Sequence, residues 1–181
     1  MKIYLIRHGL TAGNLEKRYV GCHTDEPLCE EGILEIREKE YPEADRIYKS
    51  PMKRCIMTAQ MIYPDMLLHI KDNLKEMDFG EFEYHNYREL NGNEEYQKWI
   101  DSGGELPFPN GESKAEFSRR CVKEFQSCIR ECRDTDRVAF VVHGGTIMAI
   151  MEVYGVPRGE YYRWQIPNAQ YLTLELIDKK M

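Results

Sequence analysis

Three short stretches of this 181-residue chain place histidine and arginine where they could act on an anion. Arg7-His8-Gly9 follows an apolar run, Lys53-Arg54 follows Ser50-Pro51, and His143-Gly144-Gly145 follows the most hydrophobic stretch, residues 138–142. Imidazole titrates near neutrality and can serve as nucleophile or base, and guanidinium offers a fork of donors that matches phosphate or carboxylate oxygens. Each residue alone has a bland explanation. A histidine after an apolar strand is commonly a satisfied structural residue, and Arg54 by itself would be a surface charge on a helix. Arg7 is harder to set aside, because an arginine beside a buried strand requires an anionic partner. Jointly, two histidines and two arginines could converge on one anion.

Whether they converge depends on the elements that carry them. The hydrophobic pattern predicts strands at 2–7, 46–49, 67–70, 138–142 and 171–177. Helices are expected at 30–41 and 94–100, from Ser50 to Pro64, from Ser113 to Cys132, and from His143 to Gly155. Ser50 reads as an N-cap with Pro51 at the first helical position, and Ser113 with Glu116 as a capping box. Phe117, Cys121, Phe125, Ile129 and Cys132 recur at helical spacing and mark a buried face. Residues 73–112 read as mostly irregular. The alternation predicts an α/β fold, a three-layer sandwich with a mostly parallel central sheet and helices on both faces, in one domain over 1–181. In such sheets the carboxyl ends of the strands line one crevice, and helix N-termini beside them add N–H donors suited to an anion.

Composition narrows the function classes. With 25 basic and 31 acidic residues the net charge is −6, and no basic stripe suggests a nucleic-acid partner. An anionic substrate must therefore be drawn by a local pocket. No apolar stretch approaches the ~20 residues of a membrane span, and the only apolar run before Arg7 is residues 3–6, too short for a signal peptide. No leader accompanies the six cysteines, so no disulfide framework is expected, and a reducing cytoplasmic setting fits. Cys22 and His23 lack partners at zinc spacing, so no metal and no cofactor are expected. The glycine-rich phosphate loops G-x-x-x-x-G-K-[ST] and G-x-G-x-x-G are absent, as is G-x-S-x-G. Asp134-Thr135-Asp136 precedes a strand rather than ending one and reads as a turn.

Read in order, these stretches resemble a family. Leu5-Ile6-Arg7-His8-Gly9-Leu10-Thr11, with Asn14, Arg18 and Gly21, is similar to the opening motif of the histidine phosphatase superfamily (phosphoglycerate mutase-like). Residues 50–59 resemble its second motif, residues 74–83 its third, and His143-Gly144-Gly145 its fourth. The resemblance implies a phosphohistidine mechanism without metal. His8 would be the nucleophile, Arg7, Arg54 and His143 would clamp the phosphoryl oxygens, and Glu76 would act as general acid and then base. Asn14, Arg18, Gly21 and the Gly144 backbone would contribute to substrate binding. Asp78, Glu81 and Glu83 compete with Glu76 for its role. Tyr19, Tyr84, Tyr87 and the segment 81–112 would form a substrate cap, or simply a small subsidiary core.

Three departures bear on specificity. Leu10 stands where the family usually has Glu or Gln, Tyr84 where a glycine is common, and Met148 where several relatives have Arg. The run Asp78-Phe79-Gly80 nevertheless resembles the α-ribazole phosphatase branch. The implied function is hydrolysis of a small phosphomonoester, α-ribazole 5′-phosphate or a sugar phosphate, by a monomer or homodimer. A phosphoglycerate mutase and a non-catalytic phospho-ligand-binding regulator are the alternatives, and the intact acid argues against the last.

Overall fold

The two most apolar runs become neighbouring strands at the middle of a five-stranded sheet. The computed structural model describes residues 1–176. Strands β1 (Lys2–Arg7), β2 (Arg46–Lys49), β3 (Leu68–Ile70), β4 (Arg137–Val142) and β5 (Tyr171–Glu175) lie in the order β3-β2-β4-β1-β5. The pairs β1–β4, β4–β2 and β2–β3 are parallel, and β5 runs antiparallel along β1. Parallel central strands are covered on both faces, which is why β1 and β4 are almost continuously buried.

The helices are α1 (Ala12–Leu15), α2 (Glu30–Arg37), α3 (Lys53–Ile62), α4 (Glu94–Asp101), α5 (Lys114–Arg130) and α6 (Gly144–Tyr154). Alternation of side chains along the strands divides the core into two layers. Ile3, Leu5, Val138, Phe140 and Val142 pack with Phe125 and Ile129 of α5 and Ile147 and Ile150 of α6. Tyr4, Ile6, Ile47, Ala139 and Val141 face the other way, onto Cys55 and Ala59 of α3. This is the expected three-layer α/β arrangement. A separate cluster joins Phe82, Leu90 and Phe108 to Phe117 and Tyr161, with Tyr19, Tyr96 and Trp99 packed against it. Among the described residues no helix is long and apolar enough to cross a membrane.

Several expected boundaries shift. Helix α3 starts at Lys53 with Met52 as N-cap rather than at Ser50-Pro51; the Ser50 hydroxyl accepts from Met52 N at 3.4 Å and lies 2.7 Å from His143 Nε2. Helix α2 stops at Arg37 rather than residue 41; Tyr41 packs inward and its hydroxyl donates to Ala169 O at 2.9 Å. β3 leaves out Leu67, which is largely exposed. The expected end of the last strand at Ile177 lies outside the described residues. The capping box at Ser113 forms as read: its hydroxyl accepts from Glu116 N, and Glu116 returns a bond to Ser113 N.

Candidate active site

Arg7 ends β1 and His8 follows it, beside the β4–α6 junction where His143 caps the helix. His8 Nδ1 lies 2.7 Å from the carbonyl of Gly9. A carbonyl only accepts, so Nδ1 carries the proton and Nε2 keeps the lone pair. Burial, then the charges of Arg54 and Arg7, hold this imidazole well below its ordinary 6.5, against the opposing pull of the Gly9 bond. His8 is therefore a neutral base with its free nitrogen defined.

The surrounding main chain is fixed from three directions. Thr58 of α3 accepts from Gly9 N at 3.0 Å and donates to Arg54 O at 2.7 Å. Asn168 donates to His8 O at 3.1 Å and to Asn14 Oδ1 at 3.1 Å. Since Asn14 Oδ1 also accepts from Thr11 N, its amide nitrogen is left as the outward donor. Arg7 Nη1 donates to Ile166 O at 2.5 Å.

Arg54 is fully buried, with its two terminal nitrogens donating to Thr24 O at 2.7 Å and Gly21 O at 3.0 Å. Yet the Nε atoms of both Arg7 and Arg54 are buried without a hydrogen-bond partner. Two orphaned guanidinium donors beside one histidine are what an anion-binding centre requires and a structural core avoids. His143 is also fully buried, its ring 5.2 Å from that of His8. Burial first, and then Arg54, His8 and Arg7, keep it neutral, so it does not add a third positive charge to the two arginines.

Glu76 faces this cluster from the loop after the 3-10 turn Asp72–Leu74. Oε1 accepts from Met77 N at 2.9 Å and Oε2 from Gly145 N, in the first turn of α6, at 3.4 Å. Burial raises its pKa above 4.5, outweighing those two bonds and the nearby arginines. Gly145 lets the helix approach the acid closely: a Cβ there would stand 2.5 Å from Glu76 Oε1 and displace it.

A cavity of about 300 Å³ opens over these groups, lined by Arg7, His8, Asn14, Glu76, Gly144 and Gly145. Its remaining wall is strongly aromatic, with Tyr19, Phe79, Trp99, Phe108, Tyr161 and Tyr162. Arg54 and His143 stand behind this surface. Of the other expected residues, Arg18 lines the cavity but is engaged by Glu16 at 2.6 Å and Glu89 at 2.8 Å. Gly21 does not line it; its carbonyl holds Arg54 instead. Leu10 and Tyr84 also lie outside the lining, whereas Met148 is part of it. Tyr84 adopts a φ of 60°, the left-handed region, which accounts for glycine being common there in the family. Tyr87 is exposed away from the cavity, while Trp99, Gly104 and Phe108 bring the 81–112 segment to it.

Sequence reasoning missed Asn168, Thr58, Gln165 and Lys114. Asn168 acts 160 residues from His8, and no local pattern marks it.

The chain matches the profile described as Histidine phosphatase superfamily (branch 1) over residues 3–181. It belongs to the histidine phosphatase superfamily. An adenosylcobalamin/alpha-ribazole phosphatase of Salmonella typhimurium is 27% identical, covering 98% of this chain and 92% of the relative. The crystal structure of a putative alpha-ribazole-5′-P phosphatase from Escherichia coli superposes with a TM-score of 0.85 at 26% identity, covering 99% and 92%. A phosphoserine phosphatase from Entamoeba histolytica, solved with 3-phosphoglyceric acid, gives 0.80 at 31%, covering 95% and 89%. This histidine phosphatase is accordingly an enzyme acting on small phosphorylated metabolites.

Proposed function

We propose that the enzyme hydrolyses its phosphomonoester through a phosphohistidine at His8. The carrying observation is the Nδ1–Gly9 bond, which leaves Nε2 as an unprotonated nucleophile at the edge of the cavity. Nε2 attacks phosphorus while the P–O bond to the alcohol breaks, and Glu76 gives its proton to the departing oxygen. Gly9 O steadies the positive charge that the ring gains. Water then attacks phosphorus, Glu76 takes its proton, and the P–N bond breaks to restore His8.

Arg7 and the first-turn N–H groups of α6 donate to the phosphoryl oxygens, each charge-assisted bond contributing ~1.5–3 kcal/mol, and Arg54 adds its positive charge from behind the cavity wall. A dianion placed against His143 favours its protonation and recruits it as a further donor.

The aromatic wall carries the substrate reading. Arg18 is committed to Glu16 and Glu89, and Lys114 to Glu105, so a second anionic group on the substrate would have to displace an ion pair. A flat ring meets Tyr19, Trp99, Phe108 and Tyr162 with no such cost. The likeness to α-ribazole phosphatases fits this, α-ribazole 5′-phosphate being a ribose ester that carries a flat heteroaromatic base.

Brief incubation with ³²P-labelled substrate and an alkaline quench should leave acid-labile label on the peptide holding His8, and His8→Ala should leave none. In a panel of monoesters, ring-bearing ribose 5′-phosphates should exceed phosphoserine and phosphoglycerates in kcat/KM. Label on another residue defeats the mechanism; a preference for carboxylated substrates defeats the substrate reading alone.

A further inference from the structure

Outside the catalytic cavity, the fold brings together a second group of reactive side chains. Cys22 and His23 lie in the loop between α1 and α2, and Asp78 lies 55 residues beyond His23 in the loop that carries Glu76. The Cys22 sulfur, a His23 ring nitrogen and an Asp78 carboxylate oxygen are all within 4.8 Å of one another, and His23 Nε2 is 3.0 Å from Asp78 Oδ2. None of the three lines the catalytic cavity. We propose that they form a binding site for a thiophilic divalent cation, represented by Zn²⁺, with water completing a tetrahedron.

Thiolate, imidazole and carboxylate form a zinc donor set, and tetrahedral bonds of about 2.0–2.3 Å set ligand atoms roughly 3.3–3.8 Å apart, so the His23–Asp78 pair at 3.0 Å has to open slightly to admit the ion. The frame is already rigid. Cys22 N donates to Met77 O at 3.1 Å, tying the two loops, and Glu112 N donates to Asp78 O at 2.9 Å. Gly80 N holds Asp78 Oδ1 at 2.9 Å, so Oδ2 is the atom turned to His23.

The local field also favours a cation. Glu83 Oε2 is buried without a hydrogen-bond partner beside Gly21. Desolvation and the carboxylates of Asp78, Glu83 and Glu112 hold the Cys22 thiol up to about 11, with Arg120 opposing. A bound dication reverses that balance: the thiol proton leaves to solvent as the metal–sulfur bond forms, with no redox change. Because Gly21 O and Thr24 O hold Arg54, the metal would join the loop that fixes Arg54 to the loop that carries Glu76.

The test is titration of the EDTA-treated, desalted and reduced full-length protein with Co²⁺, followed by competition with Zn²⁺. One equivalent should bind, with a near-ultraviolet thiolate-to-cobalt band and visible bands of tetrahedral intensity, and Zn²⁺ should bleach both. Cys22→Ser should abolish the charge-transfer band, His23→Ala should weaken binding at least about tenfold, and Cys29→Ser should change neither. His23 is exposed, so its variant keeps the test decisive if Cys22→Ser fails to fold. Absence of stoichiometric binding, a thiolate band that survives Cys22→Ser, or unchanged affinity in His23→Ala overturns the proposal.

Discussion

At the scale of single residues, two groups are tuned in opposite directions. His8 is held well below 6.5 and Glu76 is raised above 4.5, so acidic conditions leave the base free while the acid keeps its proton. Rate should fall toward alkaline pH as Glu76 ionises, and Glu76→Gln should remove that limb from the kcat/KM profile. The same variant should slow the burst of His8 phosphorylation by ~10²–10⁴-fold with alkyl phosphates, whose alkoxide needs the proton. With p-nitrophenyl phosphate the burst should fall only mildly, because p-nitrophenolate leaves unassisted. Equal losses with both substrates, measured by single-turnover kinetics, would remove Glu76 from the role of acid. His8, Arg7, Arg54 and His143 were legible in the sequence because each sits at a strand end or helix start that local pattern reveals. Asn168 and the contact between Ser50 and His143 were not, since each is made by pairing across more than ninety residues.

At the scale of elements, the first turn of α6 helps to position the proposed acid, Glu76. Gly145 is helical, so alanine suits its backbone, but the added methyl would meet Glu76 Oε1 at 2.5 Å and Phe117 at 3.0 Å. Gly145→Ala should therefore keep its melting temperature within a few degrees while losing about 10²-fold in kcat with alkyl phosphates, the scale of a 1 Å misplacement. An unchanged kcat would show that the carboxylate is free to move. The capping box of α5 could be read directly, because both partners lie within one turn. The start of α3 could not, because Ser50 also meets His143, 93 residues away, and regular helix begins only at Lys53. The antiparallel direction of β5 was equally hidden, since period-two alternation is the same for either direction.

At the scale of the whole molecule, the buried histidines make acid a threat to stability. Their folded pKa values lie below the unfolded one, so their contribution is fully present above about 6.5 and is lost as pH falls and the unfolded chain takes protons first. Each can contribute a slope of about 1.4 kcal/mol per pH unit, which Glu76, shifted the other way, partly offsets at lower pH. Melting temperature should drop between pH 7 and 5.5, and His8→Asn with His143→Asn should flatten that drop; an undiminished slope would place the acid sensitivity elsewhere. The clamp on His8 has a further consequence, in time. Asn168, which holds its carbonyl, comes 160 residues later, and at roughly 5–20 residues per second a ribosome needs about 8–30 s to deliver it. For most of that interval the apolar strand around Ile3, Leu5 and Ile6 lacks both of its eventual neighbours, since β4 begins only at Arg137 and β5 follows Asn168. The nascent enzyme thus carries its proposed nucleophile from the start, but that strand stays exposed to aggregation until β4 and β5 have emerged.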